Sequence, residues 1–179
     1  MSKVLIAYAT WAGATKDVAE RIAETFKEKG FDAYLEDAGR VQSIAGYDGI
    51  VLGTSIHATK PVGGFAKFLR KFRDELKGKP LALFAVCANM MDDCEENRAE
   101  TLGWLQNATR KYPDLNPMSI GLFGGAVITK GKEYENLFFI LRKIIDAMKN
   151  KMIEDYGKSD FRDWEKIRSW SEEIISFFR

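Results

Sequence analysis

The stretch VLIAYATWAGAT, residues 4–15, joins an apolar run to a loop of small and hydroxyl-bearing side chains. Residues 4–9 are apolar on both faces, which is typical of a central strand in a parallel sheet. From residue 13 to residue 29 the apolar positions recur at helical spacing, and Gly30 then ends the segment. The stretch therefore predicts a buried strand that turns directly into a surface helix.

The same alternation of apolar runs and amphipathic segments continues along the chain. Short apolar runs predict further strands at residues 31–36, 49–55, 81–88 and 119–128, and the segments between most of them predict helices. Crossovers between parallel strands are right-handed, so five such strands pack as a doubly wound, three-layer α/β sheet. We expect the strand order 2-1-3-4-5 or a relative of it.

Two helical segments follow the fifth predicted strand, where a minimal sheet of this kind needs only one. Residues 134–153 carry a broad apolar face broken by lysine and arginine, and residues 163–178 form the terminal helix. We expect one domain over residues 1–179, with residues 130–160 as a helical insertion within it. The apolar face has three interpretations: packing on the sheet edge, a homodimer contact, or peripheral contact with a membrane or a hydrophobic acceptor.

Composition argues against several classes of protein. The 179 residues carry 27 basic and 26 acidic side chains, and this net charge of +1 offers nucleic acid no global attraction. Two cysteines are too few for a disulfide framework, and a single histidine argues against a metal site. The longest stretch without a charged residue, 115–129, is shorter than a membrane span. We expect a cytoplasmic protein that binds neither nucleic acid nor metal.

The loops after the first, third and fourth predicted strands are the expected ligand-binding loops, because ligands of open parallel sheets bind at the carboxyl ends of such strands. The first of these loops, residues 10–15, combines two threonines, a glycine and a helix start, which together suit a phosphate. The alternative is a simple helix cap by Thr10 or Thr15. No P-loop motif occurs, and no GxGxxG motif follows the first strand, so nucleotide hydrolysis and dinucleotide binding lose support.

Three loops of the chain resemble the FMN-binding loops of flavodoxin-like proteins. They are the loop at residues 10–15, the strand end Gly-Thr-Ser-Ile-His at 53–57, and the loop Ala-Asn-Met-Met at 88–91. The resemblance covers nearly the whole chain and is greatest to the bacterial menaquinone-dependent protoporphyrinogen oxidase branch. That branch is indicated by Gly-x-Ser-Ile at 53–56, by Asn89, and by the basic and apolar insertion before Asp163-Trp164-Glu165.

The resemblance implies a flavodoxin-like three-layer sandwich with FMN as the cofactor. It implies no catalytic acid or base, since the flavin itself carries the redox chemistry. Carrier flavodoxins usually flank the flavin with a tryptophan and a tyrosine from the second and third loops, and this chain has neither there. Stacking is then expected from Trp11, Ile56, His57 or Met90. The residues implied to bind FMN are Thr10, Trp11, Ala12, Gly13, Ala14, Thr15, Thr54, Ser55, Ile56, His57, Ala88, Asn89, Met90, Met91 and Asp92.

The predicted function is an FMN-binding redox protein that transfers electrons through the flavin. The alternative is a flavodoxin-type protoporphyrinogen oxidase or quinone-linked dehydrogenase, and the distant alternative is a flavin-free signalling or binding domain. Residues 60–79 carry seven bases against two acids, which suits either the solvated face of a helix or the docking of an acidic redox partner such as ferredoxin, or a reductase. A quinone or porphyrin is the other expected partner. Residues 92–100 carry five acids against one arginine, which is explained either by a solvated helix start or by a cluster that lowers the potential of the flavin by destabilising its anionic reduced form.

Overall fold

The computed structural model describes the backbone of residues 1–179 and every side chain except that of Glu133. Strands and helices follow one another along the chain, and short 3₁₀ turns lie at Ala88–Met91 and Ser176–Phe178. The strands are β1 Lys3–Ala9, β2 Asp32–Asp37, β3 Gly49–His57, β4 Lys60–Pro61, β5 Leu81–Cys87 and β6 Ser119–Gly124. The helices are α1 Ala14–Glu28, α2 Gly63–Leu76, α3 Glu95–Thr109, α4 Lys132–Glu135, α5 Phe139–Tyr156 and α6 Trp164–Ile175.

The main sheet has five parallel strands in the order β2-β1-β3-β5-β6, which confirms the predicted order. The sixth strand, β4, corrects the predicted count of five. It pairs antiparallel with the end of β3 through Ile56–Pro61 and His57–Lys60. The turn between them places Ala58 and Thr59 at φ 47° and 64°. Such turns usually carry Asn or Gly, so this sequence offers no signal for a hairpin here.

The core lies on both faces of the sheet, which explains why residues 4–9 are apolar throughout. Alternate side chains of β1 point to opposite faces. Val4 and Ile6 pack in the cluster that includes α1 and α6, whereas Leu5 and Ala7 pack in the cluster that includes α2. The sheet is therefore covered by helices on both faces.

The insertion consists of two helices, α4 and α5, rather than the single predicted helix over 134–153. α4 ends at Glu135 and α5 begins at Phe139, after an extended Phe138. The Tyr134 hydroxyl donates to the Asp146 carboxylate at 2.7 Å and ties the two helices together. No helix in the described part of the chain has the length and apolar content to cross a bilayer.

Backbone contacts hold the insertion to the edge of the sheet. The Val127 N–H donates to the Ser159 carbonyl at 2.9 Å, and Ala126 and Asp160 form an antiparallel bridge. Beyond it, the Arg162 guanidinium is only 8% exposed and pairs with both Asp160 and Asp17 of α1. Burial raises the pKa of Asp160, but the hydrogen bonds from Arg162 outweigh it and leave that pKa below its usual value. The segment after α5 is thus fastened to α1.

Candidate functional site

The predicted ligand loops meet at one end of the sheet, around an open cavity of about 740 Å³ that includes space continuous with solvent. The first loop, the end of β3 and the turn after β5 supply one part of its wall, and α5 with the segment after β6 supplies the rest. The residues predicted to bind FMN that line the cavity are Thr10, Trp11, Ala12, Ala14, Thr15, Ser55, Ile56, His57, Ala88 and Met91.

The first loop is shaped by one glycine and one threonine. Gly13 has φ 100°, a left-handed conformation that favours glycine, and it immediately precedes α1. Its N–H donates to the Thr10 hydroxyl at 2.9 Å, which closes the loop on itself. The N–H groups of Ala14 and Thr15 open the helix, where they have no acceptor within the helix. The cavity therefore borders a helix N-terminus, which favours negative charge.

Thr15 is the strongest indication that this loop holds a ligand. Its hydroxyl oxygen is buried, borders the cavity, and has no hydrogen-bond partner among the groups that the structure describes. A buried polar group without a partner costs about 1–3 kcal/mol. A phosphate oxygen in the cavity would accept this hydrogen bond, so the residues present fit the phosphate of FMN.

The end of β3 is tied to the first loop. The Ser55 hydroxyl accepts a hydrogen bond from the Trp11 N–H at 3.0 Å, and the Trp11 and His57 rings stack with centroids 4.4 Å apart. The N–H of Trp11, one of the residues implied to bind FMN, is thus engaged by Ser55. Thr54 is fully buried and donates its hydroxyl to the Ser55 carbonyl, so its side chain holds the strand end rather than lining the cavity.

The turn after β5 divides the predicted third loop in two. Ala88 and Met91 line the cavity, whereas Asn89 donates its side-chain amide to the Asn97 carbonyl and the Thr101 hydroxyl, both at 3.1 Å. Met90 is buried, outside the cavity lining. The Asp92 carbonyl accepts from the Asn97 side chain. Asn89, Met90 and Asp92 therefore lie outside the cavity wall, and Asn89 anchors the turn to α3.

The acidic segment after this turn is partly neutralised. Asp93 pairs with Arg98 at 2.9 Å and with Lys166 of α6. Burial raises the pKa of Asp93, but the hydrogen bonds from Arg98 and Lys166 outweigh it and lower that pKa overall. Asp93 is thus compensated by two cations, which weakens the expectation that the cluster lowers a flavin potential.

Cys87 ends β5 beside the cavity but is not suited to act as a nucleophile. Burial raises the pKa of its thiol, and its sulfur lies 3.8 Å from the Thr101 hydroxyl. The thiol therefore stays protonated at neutral pH, and Cys87 acts as a small packing residue.

One wall of the cavity was not predicted as part of the site. α5 supplies Ile145, Met148 and Met152, and the segment after β6 supplies residues 125–127. The apolar face of residues 134–153 is the sequence feature that corresponds to this wall, but periodicity alone does not show what that face packs against. The insertion thus contributes an apolar part of the cavity wall.

A family model for the flavodoxin domain matches residues 5–160, which include all three cavity loops and α5. The chain belongs to the flavodoxin domain family. The resemblance stated from the sequence is therefore confirmed, as is the flavodoxin-like sandwich.

Relatives of known name or structure agree with this assignment. Protoporphyrinogen IX dehydrogenase (quinone) of Escherichia coli strain K12 is 24% identical over 174 residues, which cover 96% of this chain and 94% of that protein. Oxidised flavodoxin 2 of Bacillus cereus has a TM-score of 0.60 at 16% identity, with 98% of this chain and 99% of that chain covered. The FMN-bound flavodoxin of Fusobacterium nucleatum has a TM-score of 0.54 at 16% identity, with both chains fully covered. These two structures show that the flavodoxin domain here has the same fold.

Proposed function

We propose that this flavodoxin domain binds FMN in the cavity and transfers electrons through it. The observation that carries the proposal is the buried Thr15 hydroxyl, which lacks a partner among the described groups and lies in the first turn of α1. Membership of the flavodoxin family and the likeness to flavodoxin structures, one of them bound to FMN, support this cofactor.

Bound FMN would supply reversible uptake of one or two electrons. The chain's own residues would hold and shield the cofactor. Thr10 shapes the first loop, Thr15 with the first amides of α1 holds the phosphate, and Ser55 keeps the second loop against the first. Trp11 and His57 offer ring faces at the cavity. No residue is assigned as a general acid or base.

The reaction class that we favour is quinone-linked dehydrogenation of a protoporphyrinogen-type substrate. The relatives with that name match along 96% of this chain, insertion included. An apolar cavity wall from α5 is consistent with a large hydrophobic partner, since Ile145, Met148 and Met152 offer it no polar group.

Electron carriage to an acidic protein is the second candidate, favoured by the basic segment around α2. Four of its seven basic side chains are engaged within the protein. Lys71 and Lys79 donate to backbone carbonyls, and Arg73 and Lys77 pair with Asp114. Lys60, Lys67 and Arg70 are exposed as well and would face such a partner. A single domain over residues 1–179, a cytoplasmic location and a homodimer stay predictions.

FMN binding is tested first, by titrating the FMN-free protein with FMN and following the quenching of flavin fluorescence. We expect saturable quenching at one FMN per chain. Absence of quenching and of any thermal shift would contradict the proposal and favour a flavin-free binding domain.

The reaction class is tested next, with the FMN-loaded protein under anaerobic conditions. We expect protoporphyrinogen to reduce the flavin and menaquinone to reoxidise it. Rapid exchange with ferredoxin, and none with protoporphyrinogen or menaquinone, would instead assign the carrier function.

A further inference from the structure

The insertion exposes an unusually apolar surface. We call it the α5 outer face and define it by Phe138, Phe139, Ile140, Ile144 and Met148. Phe138 is 83% exposed and Ile140 is 70% exposed, and the other three are exposed as well. Ile140, Ile144 and Met148 follow one another at intervals of four residues, so they form a single row along the helix. Among the described side chains of α5, only Ile145 is buried.

Positive charge borders this face. Between residues 139 and 151 the helix carries four basic side chains against one acid, Asp146, which accepts the Tyr134 hydroxyl. The Lys143 ammonium lies 4.5 Å from the centre of the Phe139 ring, so it sits directly beside the apolar row. Lys151 is exposed near the other end of the row. The acids Glu154 and Asp155 come only in the last turn of the helix.

We propose that the α5 outer face docks the protein on the surface of an anionic lipid bilayer. Exposed aromatic and aliphatic side chains suit the boundary between headgroups and acyl chains, and adjacent lysines suit anionic headgroups. A second copy of this chain fits less well. A two-fold contact places the same patch, with its bordering cations Lys143 and Lys151, on both sides of the interface, so neither copy offers the other a complementary charge there.

Docking in this way also orients the cavity. Met148 belongs both to the outer face and to the cavity wall, beside Ile145 and Met152. The apolar row is therefore continuous with the apolar side of the cavity. A partner dissolved in the lipid would reach the cavity along apolar surface, and this consequence, unlike the docking itself, rests on the proposed function.

The test is co-flotation of the full chain with two kinds of vesicle. One contains phosphatidylcholine alone, and the other also contains about 30% phosphatidylserine, which gives the vesicle a negative surface potential. We expect binding to the anionic vesicles that weakens with salt. Lys143→Gln with Lys151→Gln should weaken that binding about 30-fold, at about 1 kcal/mol for each lysine near the surface. Ile140→Ser with Ile144→Ser should abolish it, and neither pair should unfold the protein because all four side chains are exposed.

The matched control is Lys67→Gln with Arg70→Gln, which removes the same charge from the exposed side of α2. Equal loss of binding in this control would overturn the assignment to α5, as would wild-type binding by the Ile140 and Ile144 variant. Absence of anionic vesicle binding by the parent chain would also overturn it. A dimer in sedimentation analysis that the Ile140 and Ile144 substitutions dissociate would assign the face to a second copy instead. FMN content, measured in the same samples, reports separately on the proposed function.

Discussion

Replacing Thr15 with valine should have opposite effects on stability and on FMN affinity. In the FMN-free protein the Thr15 hydroxyl is buried without a partner among the described groups, at a cost of about 1–3 kcal/mol. Valine has nearly the same shape and no hydroxyl. We therefore expect Thr15→Val to raise the free energy of unfolding of the FMN-free protein by about 1 kcal/mol.

The same substitution should weaken FMN binding, because the lost hydroxyl is the proposed donor to the phosphate. A hydrogen bond to a charged group contributes about 1.5–3 kcal/mol. The dissociation constant for FMN should therefore rise by roughly 10-fold to 150-fold, since each factor of ten corresponds to about 1.4 kcal/mol. Urea unfolding of the FMN-free protein and fluorescence titration with FMN measure the two quantities.

Thr25→Val is the matched control in the same helix. Thr25 is also fully buried, but its hydroxyl donates to the Arg21 carbonyl at 3.0 Å and lies outside the cavity lining. We expect it to lower the free energy of unfolding by up to about 1 kcal/mol and to leave FMN affinity unchanged. The reasoning is refuted if Thr15→Val binds FMN as tightly as the parent, or if it destabilises the FMN-free protein as Thr25→Val does.

Two further predictions concern the core and the pH dependence of stability. Gly53→Ala should destabilise the protein by about 3 kcal/mol in urea unfolding, because its Cβ would lie 1.9 Å from the fully buried Phe84 ring. Gly78→Ala, which meets nothing within 4 Å, is its control, and similar losses in both would contradict the packing argument. Asp93→Asn should cost about 1 kcal/mol at neutral pH, since two cations lower the pKa of Asp93 in the folded state. A carboxyl whose pKa is lowered in the folded state stabilises the fold at pH values above its unfolded-state pKa of about 3.9. The difference in free energy of unfolding between the parent and the variant should therefore shrink as the pH falls below about 4. If that difference in free energy of unfolding is constant from pH 7 to pH 3, the ion pairs of Asp93 are not its cause.

The fold was largely predictable because its signals are local. An apolar run over residues 4–9 and the helical periodicity after Gly13 define β1 and α1 without reference to any distant residue. The exception is β4, whose turn uses Ala58 and Thr59 at positive φ where the usual turn residues are absent. The sequence also predicts one helix over residues 134–153, where the structure has the two helices α4 and α5.

The sequence predicts which loops form the candidate site, but it does not predict the contacts that their side chains make. Carboxyl ends of neighbouring parallel strands share one edge, so the three loops had to meet there. Which side chains face the cavity depends on partners elsewhere in the chain. Asn89 turns towards α3, and Asp93 is neutralised by Lys166, 73 residues further along. No local pattern in the sequence specifies either contact.

The sequence by itself determined the α/β class, the strand order and the glycine-containing loop before α1, because periodicity, chirality and a glycine beside a helix start act over short distances. Only the tertiary structure decided that Thr15 is left without a partner among the described groups, and that α5 closes one wall of the cavity. It also decided that the α5 outer face stays exposed while Ile145 is buried. Burial depends on what packs against a residue, and an apolar helix has the same periodicity whether its face meets the core, a ligand or solvent.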